Sequence, residues 1–171
     1  MAEFNSCAKL IDDDKIKECD KLYEDLLSKG KDPFEYMLNA QNSLQEHLSE
    51  SVTGNKKPAD LKTIGEIYEW LRDNKIALDD EFREVVDALP GMNLPEKDRS
   101  ALWKKWKASH NSLVNKKITD LEPNELKELK FELIDMWHFF MNMTLALNIN
   151  AKEIFTYYFY KSVKTLRRYK Y

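Results

Sequence analysis

The chain has 171 residues, of which 33% are charged, with a formal net charge of −3. That length suits a single domain with a proper core. Interleaved Lys/Arg and Asp/Glu give no basic face of the kind that meets nucleic acid, so no direct nucleic-acid partner is expected. Four glycines and two cysteines argue against a turn-rich β protein, a disulfide framework and a zinc site. A reduced, cytoplasmic setting is the expectation, with neither a signal segment nor a membrane span.

In chain order, the spacing predicts a helix over 13–29, with Ile16, Cys19, Leu22, Tyr23, Leu26 and Leu27 on one face and Gly30 ending it. Asp32-Pro33 reads as N-cap and first-turn proline of a helix through Ser49. Phe34, Met37, Leu38, Leu44 and Leu48 lie on its apolar side, and Gln41 and Gln45 stand one turn apart. After a loop at 53–58, a helix is predicted over 59–74 with Ile64, Ile67, Tyr68 and Leu71 inward. A break near Asn74–Ala77 precedes a second helix to Leu89, whose core face is Phe82, Val85, Val86 and Leu89. Pro90-Gly91 ends that element. The segment from Ser100 is read as helical through Val114. Thr119 or Asp120 can cap a long helix to Leu147, with Pro123 in its first turn. Asn150 and Glu153 form a capping-box pattern ahead of a final helix from Ala151 to Arg168. No strand pattern is present, so the fold is expected to be all-α, a helical bundle.

The most informative stretch is Phe131–Asn142. At about 100° per residue on a helix, Glu132, Asp135, His138 and Asn142 fall within an arc of about 120°. The other positions are apolar, so the helix is expected to be buried on most sides. Acids are rarely buried unless paired or bound to metal. Glu132-x-x-Asp135 has a counterpart in Glu81-x-x-Glu84, and i, i+3 spacing puts both acids of each pair on one face. Two such helices packed antiparallel bring four carboxylates together, which like-charge repulsion forbids unless a cation joins them. An all-oxygen set suits Mg²⁺ or Mn²⁺. Against this stands the plainer reading of E-x-x-E as a solvated helix face.

Other residues leave alternatives open. His138 can be a ligand, a substrate hydrogen-bonder or a satisfied core histidine. Trp103 and Trp106 can be core residues or stacking groups, and Gln41 and Gln45 can read a base edge or simply face water. A ferritin-like di-iron bundle needs Glu-x-x-His from two helices, and only Asp135-x-x-His138 approximates one. No P-loop, dinucleotide fingerprint or nucleophile elbow occurs.

The ordered stretches DDEFRE (79–84), SALWKKWKA (100–108), LKFELIDMWHFFMNM (129–143) and NAKEIFTYYFYK (150–161) resemble the all-α nucleoside triphosphate pyrophosphatases. This is the MazG-like and dimeric dUTPase superfamily, here with likeness to its T-even-type bacteriophage branch. Looser likeness runs through 1–11 and 37–45. The resemblance implies a Mg²⁺-dependent, homodimeric enzyme that converts dCTP and dUTP to monophosphate and pyrophosphate in the host cytoplasm. Glu81, Glu84, Glu132 and Asp135 match the family's metal-binding acids, with Glu84, or else Glu81, handling the attacking water. Gln41 matches a base-binding glutamine, and Gln45 stands where cellular dimeric dUTPases tend to carry asparagine. Trp106, Lys107, His138 and Asn142 match positions lining the deoxypyrimidine nucleotide pocket. Tyr158, Lys161 and Arg168 match a phosphate-contacting signature. The chain departs from that signature at Ser162, Thr165 and Tyr169, where the family carries carboxamides.

Overall fold

In the computed structural model, residues 11–52 and 54–168 are described. The likeness at the N-terminus (apart from Ile11), Cys7 and Tyr169 lie outside them. Among the described residues the chain forms seven α-helices, short 3₁₀ turns and no strand. The helices are α1 (Asp13–Ser28), α2 (Pro33–Ser51), α3 (Ile64–Ala88), α4 (Glu96–Arg99), α5 (His110–Val114), α6 (Pro123–Ala146) and α7 (Ala151–Arg168). The all-α expectation is met.

Local signals explain most of the boundaries. Gly30, with a φ of 63°, ends α1, where Gly30 N–H donates to Leu27 and Lys31 N–H to Leu26, a Schellman arrangement. The Asp32 carboxylate accepts the Phe34 N–H at 2.9 Å and caps α2. Thr63 and Glu66 form a reciprocal capping box, Glu66 N–H to Thr63 Oγ1 at 3.2 Å and Thr63 N–H to Glu66 Oε2 at 3.0 Å. That box fixes the start of α3 at Ile64 rather than at 59. Asn150 and Glu153 cap α7 as expected, at 3.1 and 2.9 Å.

Two expectations are corrected. The break near Asn74–Ala77 is absent, and α3 is one helix of 25 residues. The segment holds no Gly or Pro, and Asn74 turns its amide onto the Trp70 carbonyl at 2.9 Å instead of competing for the backbone ahead of it. Conversely, 100–114 is not one helix but a 3₁₀ turn at Ser100–Leu102, further turns, and the short α5.

The chain divides into two compact units, one of residues up to Asp14 with Lys75–Phe139, the other of Lys15–Asn74 with residues from Phe140 on. In the second unit Leu38, Met141 and Ala151 form a buried cluster, with Phe34 and Ile154 packed against it. In the first unit the turn after α3 closes onto α6. Glu125 Oε1 accepts the Asn93 N–H at 3.1 Å, and Oε2 accepts the Glu122 N–H at 3.2 Å. Gly91 lies so near that carboxylate, at a φ of 102°, that a Cβ there would sit 2.5 Å from Glu125 Oε1. Gly91→Ala is therefore expected to cost about 2 kcal/mol, through positive-φ strain and displacement of the Glu125 clamp. Urea denaturation checks it, and a variant as stable as wild type contradicts this account of the turn.

The expectation that the helix through Phe131–Asn142 is buried on most sides is corrected. Glu125, Glu128 and Glu132 are 7%, 1% and 3% exposed, whereas Leu133, Ile134, Trp137 and Phe140 are exposed. Ile64 and Tyr68, expected inward, are also exposed, as are Phe155, Tyr158 and Tyr160 of α7. Helix α6 thus buries three acids and leaves large apolar side chains uncovered.

Candidate metal centre

The acidic centre lies within the first unit. α3 supplies Glu81 and Glu84 one turn apart, and α6 supplies Glu132 and Asp135 with the same spacing. One carboxylate oxygen from each of Glu81, Glu132 and Asp135 lies within 4.8 Å of the others. Glu132 is buried, while Glu81 and Asp135 are half-buried. Glu84 is more open and is 3.9 Å from the Arg83 guanidinium. Its charge nevertheless weighs most among those acting on Glu132.

The electrostatics show why this cluster needs a countercharge. Burial, followed by the charges of Glu84, Glu128, Asp135 and Glu81, pushes the Glu132 carboxyl up to about 7. Burial first, and then Glu84, Asp135 and Asp80, raises the Glu81 carboxyl against the opposing influence of Arg83. Glu132 Oε2 is buried with no hydrogen-bond partner. A buried acceptor with no donor is costly. A hard divalent cation meets that need: it takes carboxylate oxygens as ligands and stabilises their ionised forms. The donor set, all carboxylate, suits Mg²⁺ or Mn²⁺.

The second unit contains a buried polar network. Gln41 Nε2 donates to Asn142 Oδ1 at 2.8 Å, and Asn142 Nδ2 donates to Asn74 Oδ1 at 2.9 Å. Trp70 Nε1 donates to the Asn142 carbonyl at 3.0 Å, and Asn74 Nδ2 to the Trp70 carbonyl at 2.9 Å. Gln41 and Asn142 are 3% and 5% exposed. Two residues that the sequence singled out on separate helices thus hold each other, and α2, α3 and α6 are joined through their amides. Asn142→Leu is expected to cost about 2 kcal/mol, since the Gln41 donor and the Asn74 acceptor both lose a buried bond. The change in urea midpoint checks this; an unchanged midpoint contradicts a structural role for the network.

The remaining predicted residues are spread more widely. Gln45 is half-buried on α2, and His138 is exposed on α6. Trp106 is 78% exposed. Lys107 donates its ammonium to the Lys97 carbonyl and, at 3.0 Å, to Ser100 Oγ. With Arg83, Lys97, Lys104, Phe82 and Trp103, Lys107 lines an open cleft of about 770 Å³. The α3 residues of that cleft fall on the side of the helix away from Glu81 and Glu84. Tyr158, Lys161 and Arg168 are exposed along α7. Sequence reading missed Glu125, Glu128 and Asn74. The two glutamates were legible as the i−7 and i−4 neighbours of Glu132 on one helix face, whereas Asn74 was hidden by the expected break.

No family model matches the chain, and no solved structure matches it. Full-length relatives do. The chain is 40% identical to the dCTP pyrophosphatase of Enterobacteria phage T4 over 168 residues, covering 98% of this chain and 97% of that one. It is 40% identical over 169 residues to the dCTP pyrophosphatase of Enterobacteria phage LZ5, with the same coverages. A phage T4 protein named DNA replication protein is 41% identical over 162 residues, 95% of this chain and 41% of that protein. Identity at this level along nearly the whole length settles membership: the chain belongs to the phage dCTP pyrophosphatase family, enzymes that hydrolyse nucleoside triphosphates.

Proposed function

We propose that the protein hydrolyses dCTP and dUTP to the monophosphate and pyrophosphate, with Mg²⁺ as its cofactor and Mn²⁺ able to replace it. The observation that carries this reading is the convergence of Glu81, Glu132 and Asp135 within 4.8 Å around a buried, unpartnered oxygen, in a relative of two dCTP pyrophosphatases. Glu81, Glu132 and Asp135 would hold the cation, which would supply neutralisation of the charge on the triphosphate and on the departing pyrophosphate. Glu84, open to solvent beside them, orients a water and takes its proton as the oxygen adds in line to a phosphorus of the α–β anhydride. The bridging P–O bond then breaks, and the bridging oxygen leaves with the other phosphate group.

The nucleotide-contacting roles follow the family positions. Gln41 and Gln45 are assigned to the base edge, and His138 and Asn142 to the nucleoside. Trp106, Lys107, Tyr158, Lys161 and Arg168 are assigned to the pocket wall and the phosphates. Ser162 and Thr165 each offer one hydroxyl where the family carries a carboxamide, so phosphate or sugar contacts are thinner there. A homodimer is part of the proposal: a second copy would cover the exposed Leu133, Ile134 and Trp137 of α6 and the aromatics of α7. No helix among the described residues is long and apolar enough to cross a membrane.

The test is a nucleotide panel. Initial rates with dCTP, dUTP, dTTP and dATP in Mg²⁺ are expected to be highest for the first two. Turnover confined to a purine nucleotide contradicts the substrate assignment.

A further inference from the structure

Glu128 stands out among the acids of α6. Glu125, Glu128, Glu132 and Asp135 fall within an arc of about 80° of the helix. Three of them are buried, and their surroundings differ. Glu125 is answered by two backbone N–H groups, at 3.1 and 3.2 Å, which suffices to keep an ionised carboxylate in place. Glu128 is the most buried of the three, at 1% exposed, and both of its carboxylate oxygens lack any hydrogen-bond partner. Burial without hydrogen bonds is the costliest setting for a carboxylate, and natural structures resolve it with a cation or by protonation.

Its neighbour suggests which. Glu132 is one turn away on the same face and also carries a buried oxygen without a partner. The charge of Glu128 acts on it second only to that of Glu84 among its neighbours. The unpartnered oxygens thus belong to residues one turn apart on one face of α6; Glu128 stands next to, and outside, the trio of Glu81, Glu132 and Asp135 whose oxygens converge within 4.8 Å. A glutamate contributing only to the fold would be expected to find a donor, as Glu125 does.

We propose that Glu128 belongs to the metal centre, supplying a carboxylate to a hard divalent cation that it shares with Glu132. The site then extends one turn further along α6 than Glu132 and Asp135, so its donors are four acids, Glu81, Glu128, Glu132 and Asp135, rather than three. This inference rests on the metal reading given above. In the metal-free protein the Glu128 carboxylate has no hydrogen bond with which to favour the fold. Its presence is accounted for by the cation.

The experiment is a Mn²⁺ titration of wild type, Glu128→Gln and Glu132→Gln, read by electron paramagnetic resonance of free Mn²⁺, with thermal melts in chelator and in Mg²⁺. Wild type is expected to bind Mn²⁺ and Glu132→Gln to lose that binding. Glu128→Gln is expected to lose about tenfold or more in affinity, or one bound ion. In chelator Glu128→Gln is expected to melt at or above wild type, while its gain in melting temperature from Mg²⁺ shrinks. Glu128→Met, of similar volume and apolar, is expected to do the same. If Glu132→Gln loses Mn²⁺ and Glu128→Gln keeps wild-type affinity and stoichiometry, the inference fails and the metal reading stands. If wild type binds no Mn²⁺, both fail. Destabilisation or misfolding of both Glu128 variants in chelator also overturns the inference, since it assigns Glu128 a role in the fold itself.

Discussion

Replacing Glu132 by glutamine is expected to lower dCTP hydrolysis by at least about 10³-fold and to abolish the response to Mg²⁺. The carboxylate is the most buried of the three that converge, and its Oε2 has no other partner. Glutamine keeps its volume and one oxygen but removes the negative charge that a divalent cation needs. Several kcal/mol of charge stabilisation on the phosphates depend on that cation, and each 1.36 kcal/mol is a factor of ten in rate. Stability should move the other way. In chelator the variant relieves a crowd of like charges from Glu81, Glu84, Glu128 and Asp135, so it should melt at or above wild type. Steady-state rates and melting curves on the same preparations check both halves. An active, Mg²⁺-responsive Glu132→Gln enzyme contradicts the assignment.

The metal-free protein is expected to lose stability as pH rises from about 5 to 8. The Glu132 carboxyl has an ordinary value of 4.5, and in the folded protein burial and its neighbours raise it to about 7. Between those values the folded protein holds a proton that the unfolded chain has released. Its contribution is thus fully present below about 4.5 and is lost as pH passes through about 7. The shift corresponds to about 3 kcal/mol, and the raised Glu81 carboxyl acts in the same direction. Glu66 does not offset this, because its carboxyl is lowered to about 2 and its influence falls below that window. Saturating Mg²⁺, which binds the ionised carboxylates, should shrink or reverse the trend. Urea midpoints at pH 5, 6, 7 and 8, with and without Mg²⁺, measure it. The Glu132→Gln variant should show a flatter profile. Metal-free stability that is level or rises over that range contradicts the crowded-carboxylate picture.

Much of this was legible in the sequence, and particular residues show why the rest was not. Asp32-Pro33, Gly30 and the Asn150–Glu153 box are local signals that act within a few residues, and each sits where its pattern placed it. The pairing of Glu81 with Glu132 and Asp135 was also legible, because an acidic stripe on an otherwise apolar helix needs a partner. Local reading failed where side-chain choice depends on distant contacts. Asn74 looked like a helix breaker, but its amide engages Trp70 and Asn142, and α3 runs on. The Trp-Lys segment looked helical by composition, yet it is broken into turns whose lysines reach backbone carbonyls, as Lys107 does at Lys97.

The reversal in α6 has a different cause. Periodicity shows which residues share a face, but not whether that face meets the protein's own interior, a cation or another copy of the chain. Leu133, Ile134 and Trp137 read as core and are exposed, while Glu128, which sequence reading passed over, is the least exposed of the acids on α6. The charges on the buried face gave the better guide to which side chains converge.

The central claim is metal-dependent cleavage of the α–β anhydride, and ³¹P NMR of dCTP with the wild-type protein tests it most directly. In Mg²⁺ the three triphosphate resonances should give way to those of dCMP and pyrophosphate alone, and excess chelator should stop the conversion. Appearance of dCDP with orthophosphate, or unchanged dCTP in the presence of Mg²⁺, would contradict the account.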